Sequence, residues 1–270
     1  MNGEAYNYQP KAKVFYRVSE ADHVQAAAIA QLARQLHAKR VVVLNDTTAY
    51  GESIALMTGR VLKLEQIASS RLTWNPRAIS YRALWQKVGK LHPDLVILSG
   101  LIENNGGKLI RDKVAVLGPN SSPVRLLGTD GFALEDTIAA AGKAASNGML
   151  VTAPGGTLSD YKTAPAAALR TRMAATVSGP VSTYVFYGAQ SAALMLDALG
   201  RSDGTRAGLL AEIGKTDIPA RKSFLGTRVR FDYYGDIASP AAVSWLRIDG
   251  TLKHAGTIKP NPAYVRLAGS

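Results

Sequence analysis

Few of the residues able to do covalent or metal chemistry stand at a workable spacing in this 270-residue chain. There is no cysteine, which excludes disulfides, thiolate-bound zinc, iron–sulfur clusters and thiol nucleophiles together. The histidines His23, His37, His92 and His254 are spaced so that no two share a helix face as metal ligands. A serine nucleophile on a strand–turn–helix elbow needs Gly-x-Ser-x-Gly, which does not occur. Gly214-Lys215-Thr216 looks like the end of a phosphate-binding loop, but Leu209 stands where its first glycine is required. In Gly106-Gly107-Lys108 the next residue is Leu109 instead of a hydroxyl. Both runs suit helix ends. No catalytic residue, metal or cofactor is expected.

What remains is position, and position depends on the elements. From Ala21 to His37, Val24, Ala28, Leu32 and Leu36 form one apolar stripe of a helix. Val41-Val42-Val43-Leu44 is an unbroken apolar run of the kind covered on both faces of a parallel sheet. The rhythm continues through a helix carrying Ile54, Met57 and Val61, a strand over Ile67 to Thr73, and a helix around Trp85. A strand at Leu95 to Leu98, a helix to Leu117, and strands at Val124 to Leu127 and Met149 to Thr152 follow. The reading is α/β, a doubly wound parallel sheet. After Ala153-Pro154-Gly155-Gly156 the pattern turns helical, over Pro165 to Thr176, Val181 to Leu199 and Arg206 to Ile213. Alternation at Leu225 to Phe231, Val243 to Ile248 and Leu252 to Ile258 returns it to β, with Asp249-Gly250 as a hairpin turn.

Ligands of open α/β sheets lie beyond the carboxyl ends of the strands, so the informative loops are Asn45 to Tyr50, Ser99 to Asn105 and Gly128 to Phe132. They offer Tyr50 to stack on a ligand, Ser99, Gly100 and Leu101 around a small-residue turn, and Asp130 with Gly131 to receive a cationic group. The same residues also suit plain structural roles: Tyr50-Gly51 as a helix start, Thr129-Asp130-Gly131 as a turn.

The net charge of +12 is spread out, its densest spots being Lys39-Arg40 and Arg221-Lys222, without interleaved aromatics, and no nucleic-acid partner is expected. No apolar run approaches the roughly 18 residues that cross a bilayer, and Met1-Asn2-Gly3-Glu4 lacks a signal-peptide layout.

Phe15-Tyr16-Arg17, Gln25, the strand Lys39 to Asp46, Tyr50-Gly51-Glu52-Ser53, Asp94 to Ile97, Leu127 to Phe132 and Asn147 to Thr152 run collinearly with the helix of Tyr187 and Ala189. In that order they resemble the periplasmic solute-binding proteins of ABC transporters for branched-chain amino acids, of the type I periplasmic-binding fold. The resemblance implies a non-catalytic, extracytoplasmic protein that binds an amino acid in a cleft between two lobes and delivers it to a membrane permease. It implies a carboxyl-terminal ligand-binding lobe at 14–152 and 240–260, with 153–239 the returning part of an amino-terminal lobe that is otherwise missing. Pairing with that lobe or with a second copy is then expected, with Tyr184, Tyr187, Leu194, Leu196 and a strand edge at Leu225 to Phe231 left uncovered. By resemblance Tyr50 lines the ligand side chain and Asp130 pairs with its ammonium. Leu101, where relatives carry a tyrosine, implies an apolar ligand. A ligand-sensing regulator or receptor domain of the same fold is the alternative.

Overall fold

The computed structural model describes residues 14–155, 157–179, 181–238 and 242–270, so the reading of Met1 to Glu4, Gly156 and the expected boundary at 239 and 240 lie outside the described residues. The described residues divide into two compact units, one of 22–154 with 242–270, the other of 14–21 with 155–238. Val14 to Ala21, expected with the first unit, lie with the second.

The first unit is built on strands β1 (Arg40–Asn45), β2 (Ala68–Thr73), β3 (Leu95–Ser99), β4 (Arg125–Gly128) and β5 (Leu150–Pro154), all parallel, in the order β2-β1-β3-β4-β5. The hairpin strands Val243–Asp249 and Thr251–Ile258 extend the sheet antiparallel beyond β5. Every residue of β3 is buried, as its unbroken apolar run requires between two helix layers. On one face Val42, Leu44, Val96, Leu98, Leu126 and Val151 pack with Trp74, Trp85, Leu109, Ile110 and Phe132.

Helix α1 (Asp22–Gln35) departs from the single-stripe expectation: His23, Val24, Gln25, all five alanines, Ile29 and Leu32 are buried. It is covered by the sheet, by α2 (Ala49–Leu64) and by a carboxyl-terminal helix, Pro262–Gly269, that the sequence reading did not anticipate. A helix covered from several sides must be apolar nearly all round, and alanine permits the close approach. Helix α3 (Arg82–Gly89) and helix α4 (Gly106–Leu117) follow β2 and β3. His37, Gln66 and His92 end α1, α2 and α3 in the left-handed region, with φ of 57°, 56° and 47°.

The second unit contains α5 (Ala164–Thr176), α6 (Tyr184–Arg201) and α7 (Arg206–Gly214). Its core gathers Val18, Tyr161, Phe186, Tyr187, Leu194, Ile213 and Val229. Tyr187 and Leu194 are therefore buried, contrary to the expectation of bare faces. A second stripe of α6 is exposed: Met195 at 44%, Leu196 at 70% and Leu199 at 50%. Only Val229–Arg230 of the expected strand forms, paired antiparallel with Asp217–Ile218, because Gly226 turns the chain through φ +71°.

Candidate functional site

The chain runs from β1 out to β2 and returns to place β3 on the other side of β1. That reversal makes the carboxyl ends of β1 and β3 the switch point of the sheet. Asn45 stands opposite Ser99, and Leu98 opposite Gly128, so the three loops singled out from the sequence leave the sheet side by side. Within the first unit, Pro154 at the carboxyl end of β5 is opposite Val243.

Two of the expected residues touch through functional groups. The Tyr50 hydroxyl donates a hydrogen bond to Asp130 Oδ1, and both residues are half-buried. Burial pushes the Tyr50 phenol well above its ordinary range; the negative charge of Asp130, its hydrogen bond and the charge of Asp22 add to this, while a hydrogen bond with Thr129 opposes it. Asp130 opens a short 3-10 turn, Asp130–Phe132.

The other four form the ground on which that pair stands. Ser99 is fully buried, and its hydroxyl donates to the Gly51 carbonyl at 2.7 Å, so its polar atom faces inward. A Cβ at Gly100 would lie 2.4 Å from the Asp46 carboxylate and 2.7 Å from the Trp74 ring. One at Gly131 would lie 2.3 Å from the Gly100 carbonyl and 2.9 Å from Leu101. These glycines are required by close backbone approach. Leu101, half-buried, lies against Gly131 and gives its backbone N–H to Asp46.

Sequence reasoning passed over Asp46 as a side chain. It is fully buried at the end of β1 and accepts hydrogen bonds from both loops of the switch point. Thr47 beside it holds φ at +64°, a strained conformation for a β-branched residue that costs about 1–3 kcal/mol and gathers at functional loops. The spacing Asp46-x-Thr48, an Asx turn leading into a helix cap, was the available signal. Also overlooked was the pairing of Gln25 Nε2 with Thr152 Oγ1 at 3.0 Å, which fastens the start of α1 to β5. Among the described residues no group of His, Asp and Glu is arranged to hold a metal, and no helix is long and apolar enough to cross a membrane.

A doubly wound, mostly parallel sheet with a polar, glycine-floored switch point defines the class of fold. The model of the Periplasmic binding protein family matches residues 3–249, and the chain belongs to that family. Proteins of this family bind solutes and are not enzymes. Among solved structures the chain is similar to a leucine-binding protein from Thermotoga maritima, at 21% identity and a TM-score of 0.79, covering 91% of this chain and 68% of that one. It is similar to a Rhodopseudomonas palustris solute-binding protein in complex with benzoate, at 18% identity and a TM-score of 0.74, covering 91% and 65%. A fatty acid ABC transporter substrate-binding protein from Thermomonospora curvata gives 16% identity and a TM-score of 0.76, covering 96% and 67%. The chain thus spans about two thirds of the length of these proteins. No curated protein sequence matches it.

Proposed function

We propose that this chain is the ligand-recognising part of an extracytoplasmic solute-binding protein of an ABC transporter, and that its solute is an apolar α-amino acid, branched-chain or aromatic. The observation that carries the reading is Asp130, a carboxylate held at the switch-point edge by the Tyr50 hydroxyl. A fixed anion there favours a ligand that brings a cation, and an α-ammonium does so. Benzoate and fatty acids carry only negative charge and would meet repulsion. Leu101 adds an apolar neighbour, which suits an aliphatic or aromatic side chain over a charged one. The receiving partner is a membrane permease.

The first unit, in this reading, is the carboxyl-terminal lobe and the second is part of the other lobe. The exposed stripe of α6 and an apolar groove of about 480 Å³, walled by Phe15, Tyr16, Leu194, Met195, Leu209 and Ile213, support further polypeptide covering that part.

Calorimetric titration of the full chain with leucine, isoleucine, phenylalanine, glutamate and benzoate tests the assignment. Leucine or another apolar amino acid binds most tightly, and Asp130→Ala weakens it by a few kcal/mol, the cost of leaving a buried ammonium unpaired. Tighter binding of benzoate or glutamate, or an affinity indifferent to Asp130→Ala, overturns the reading.

A further inference from the structure

The side chain of Asp46 reaches nothing in solvent, yet it is the point at which the two switch-point loops meet. Its Oδ1 accepts from the Thr48 N–H at 3.1 Å and the Thr48 hydroxyl at 2.6 Å. Its Oδ2 accepts from the Leu101 N–H at 2.9 Å and from Asn104 Nδ2 at 2.7 Å. The Thr48 hydroxyl, with its proton committed to Asp46, presents a lone pair to the Gly51 N–H at 3.0 Å and so caps α2, the helix that carries Tyr50 in its first turn. On the other side the anchored Leu101 loop abuts Asp130-Gly131: the Ile102 N–H donates to the Gly131 carbonyl at 3.2 Å. Added Cβ atoms at Gly51 and Gly100 would lie 2.2 Å and 2.4 Å from the Asp46 carboxyl, so the three residues fit only at one spacing.

We propose that Asp46 is a positioning residue that sets the distance between Tyr50 and Asp130, and through it the ligand preference of the site. The part about preference rests on reading Tyr50 and Asp130 as the ligand-facing pair; the part about distance does not. Every donor that Asp46 satisfies belongs to a loop bearing one member of the pair or abutting it. Asparagine in its place keeps the shape but has one acceptor oxygen and an NH2 group. Donor then meets donor on one side, and although the Asn104 amide can turn over, the Leu101 N–H cannot.

The test compares the full wild-type chain with Asp46→Asn, with Asn104→Ala, which removes only one of the four donors, and with the core variant Ile110→Val. The titration of the Tyr50 ring carbon is followed by NMR, assigned through Tyr50→Phe, together with amide exchange at Thr48 and Leu101. Asp46→Asn is expected to bring the Tyr50 midpoint down by about one pH unit as the pair with Asp130 loosens, and to speed exchange at Leu101 about tenfold. Asn104→Ala should move both in the same direction by less, and Ile110→Val should move neither. An unmoved Tyr50 in Asp46→Asn overturns the proposal, as does an equal change in Ile110→Val; should Asp46→Asn fail to fold, an unmoved Tyr50 in Asn104→Ala does the same. If the wild type binds no amino acid, the proposed solute is wrong while the Tyr50 readout still decides the role of Asp46. If it does bind leucine, Asp46→Asn should narrow the gap between leucine and benzoate about tenfold, and an unchanged gap overturns the claim on preference.

Discussion

Lys113 sits in α4 with its side chain wholly buried, and its ammonium donates to three backbone carbonyls: Gly118 at 3.0 Å, Pro119 at 2.6 Å and Val124 at 2.6 Å. These acceptors belong to the connection from α4 to β4, so one charge fastens that crossover. Burial pushes the Lys113 ammonium from 10.5 down to about 8. At neutral pH it remains charged. Between about 8 and 10.5 the unfolded chain holds a proton that the folded chain has given up, so unfolding takes up a proton and stability rises with pH across that window. At 1.36 kcal/mol per pH unit the rise is bounded near 3 kcal/mol, and solvent screening brings it to about 2–3 kcal/mol.

Lys113→Met removes that pH-dependent gain and leaves the three carbonyls without their donor. Hydrogen bonds to a charged group contribute roughly 1.5–3 kcal/mol each, and set against the cost of burying the charge they leave a net loss of about 2–5 kcal/mol at pH 7. The three tryptophans, Trp74, Trp85 and Trp245, all lie in the first unit, so tryptophan fluorescence in urea reports on that unit alone. The expected result is a large deficit for the variant at pH 7 and a wild-type-minus-variant difference that grows between pH 8 and 10.5. Taking the difference cancels the other lysines and tyrosines that titrate there. A difference that stays flat over this range, or a variant more stable than wild type at pH 7, refutes the reasoning.

Two further expectations concern the glycines and the second unit. Gly59 lies within α2 with open space where a Cβ would be, so Gly59→Ala should stabilise the first unit by about 0.5–1 kcal/mol, whereas Gly100→Ala, wedged against Asp46 and Trp74, should cost about 1–3 kcal/mol in the same urea titration. On α6, Leu194→Ala should cost about 2–5 kcal/mol by tyrosine near-ultraviolet circular dichroism, and Leu196→Lys, at a position 70% exposed, should stay within about 0.5 kcal/mol; a larger loss at Leu196 would mean that this face is covered in the chain as it stands.

The sheet was legible because β1 and β3 are uninterrupted apolar runs and the helices between them have clear periodicity. Residues without such a run were read less well. The alternation of Leu225 to Phe231 looked like a strand, yet Gly226 adopts a left-handed conformation and leaves only Val229–Arg230 extended. The helix Pro262–Gly269 begins with a good signal, Asn261 capping the Ala263 N–H with Pro262 in the first turn, but is too short to display a period. For α1 the pattern of Val24, Ala28 and Leu32 was real but incomplete, because a sequence shows which residues can be buried and the number of covering elements decides how many are.

The site shows the same division more sharply. Looking beyond the carboxyl ends of the strands singled out three loops that the structure does bring side by side at the switch point, because loop order follows from strand order. It could not separate the residues that face outward from those that hold them. Ser99 and Asp46 are both polar residues at strand ends, in adjacent and parallel strands, and both are fully buried. Their burial follows from Gly51 and Gly100, which let the two loops come so close that any polar group between them must be satisfied by the loops themselves. A hydroxyl needs one acceptor and finds the Gly51 carbonyl; a carboxylate needs several donors and finds them in both loops. The crevice that the fold opens at its switch point is thus closed at its base in this chain. Tyr50, from the segment after β1, and Asp130, from the loop after β4, keep their polar groups for each other instead, and on the reading proposed above it is this pair that meets the ligand.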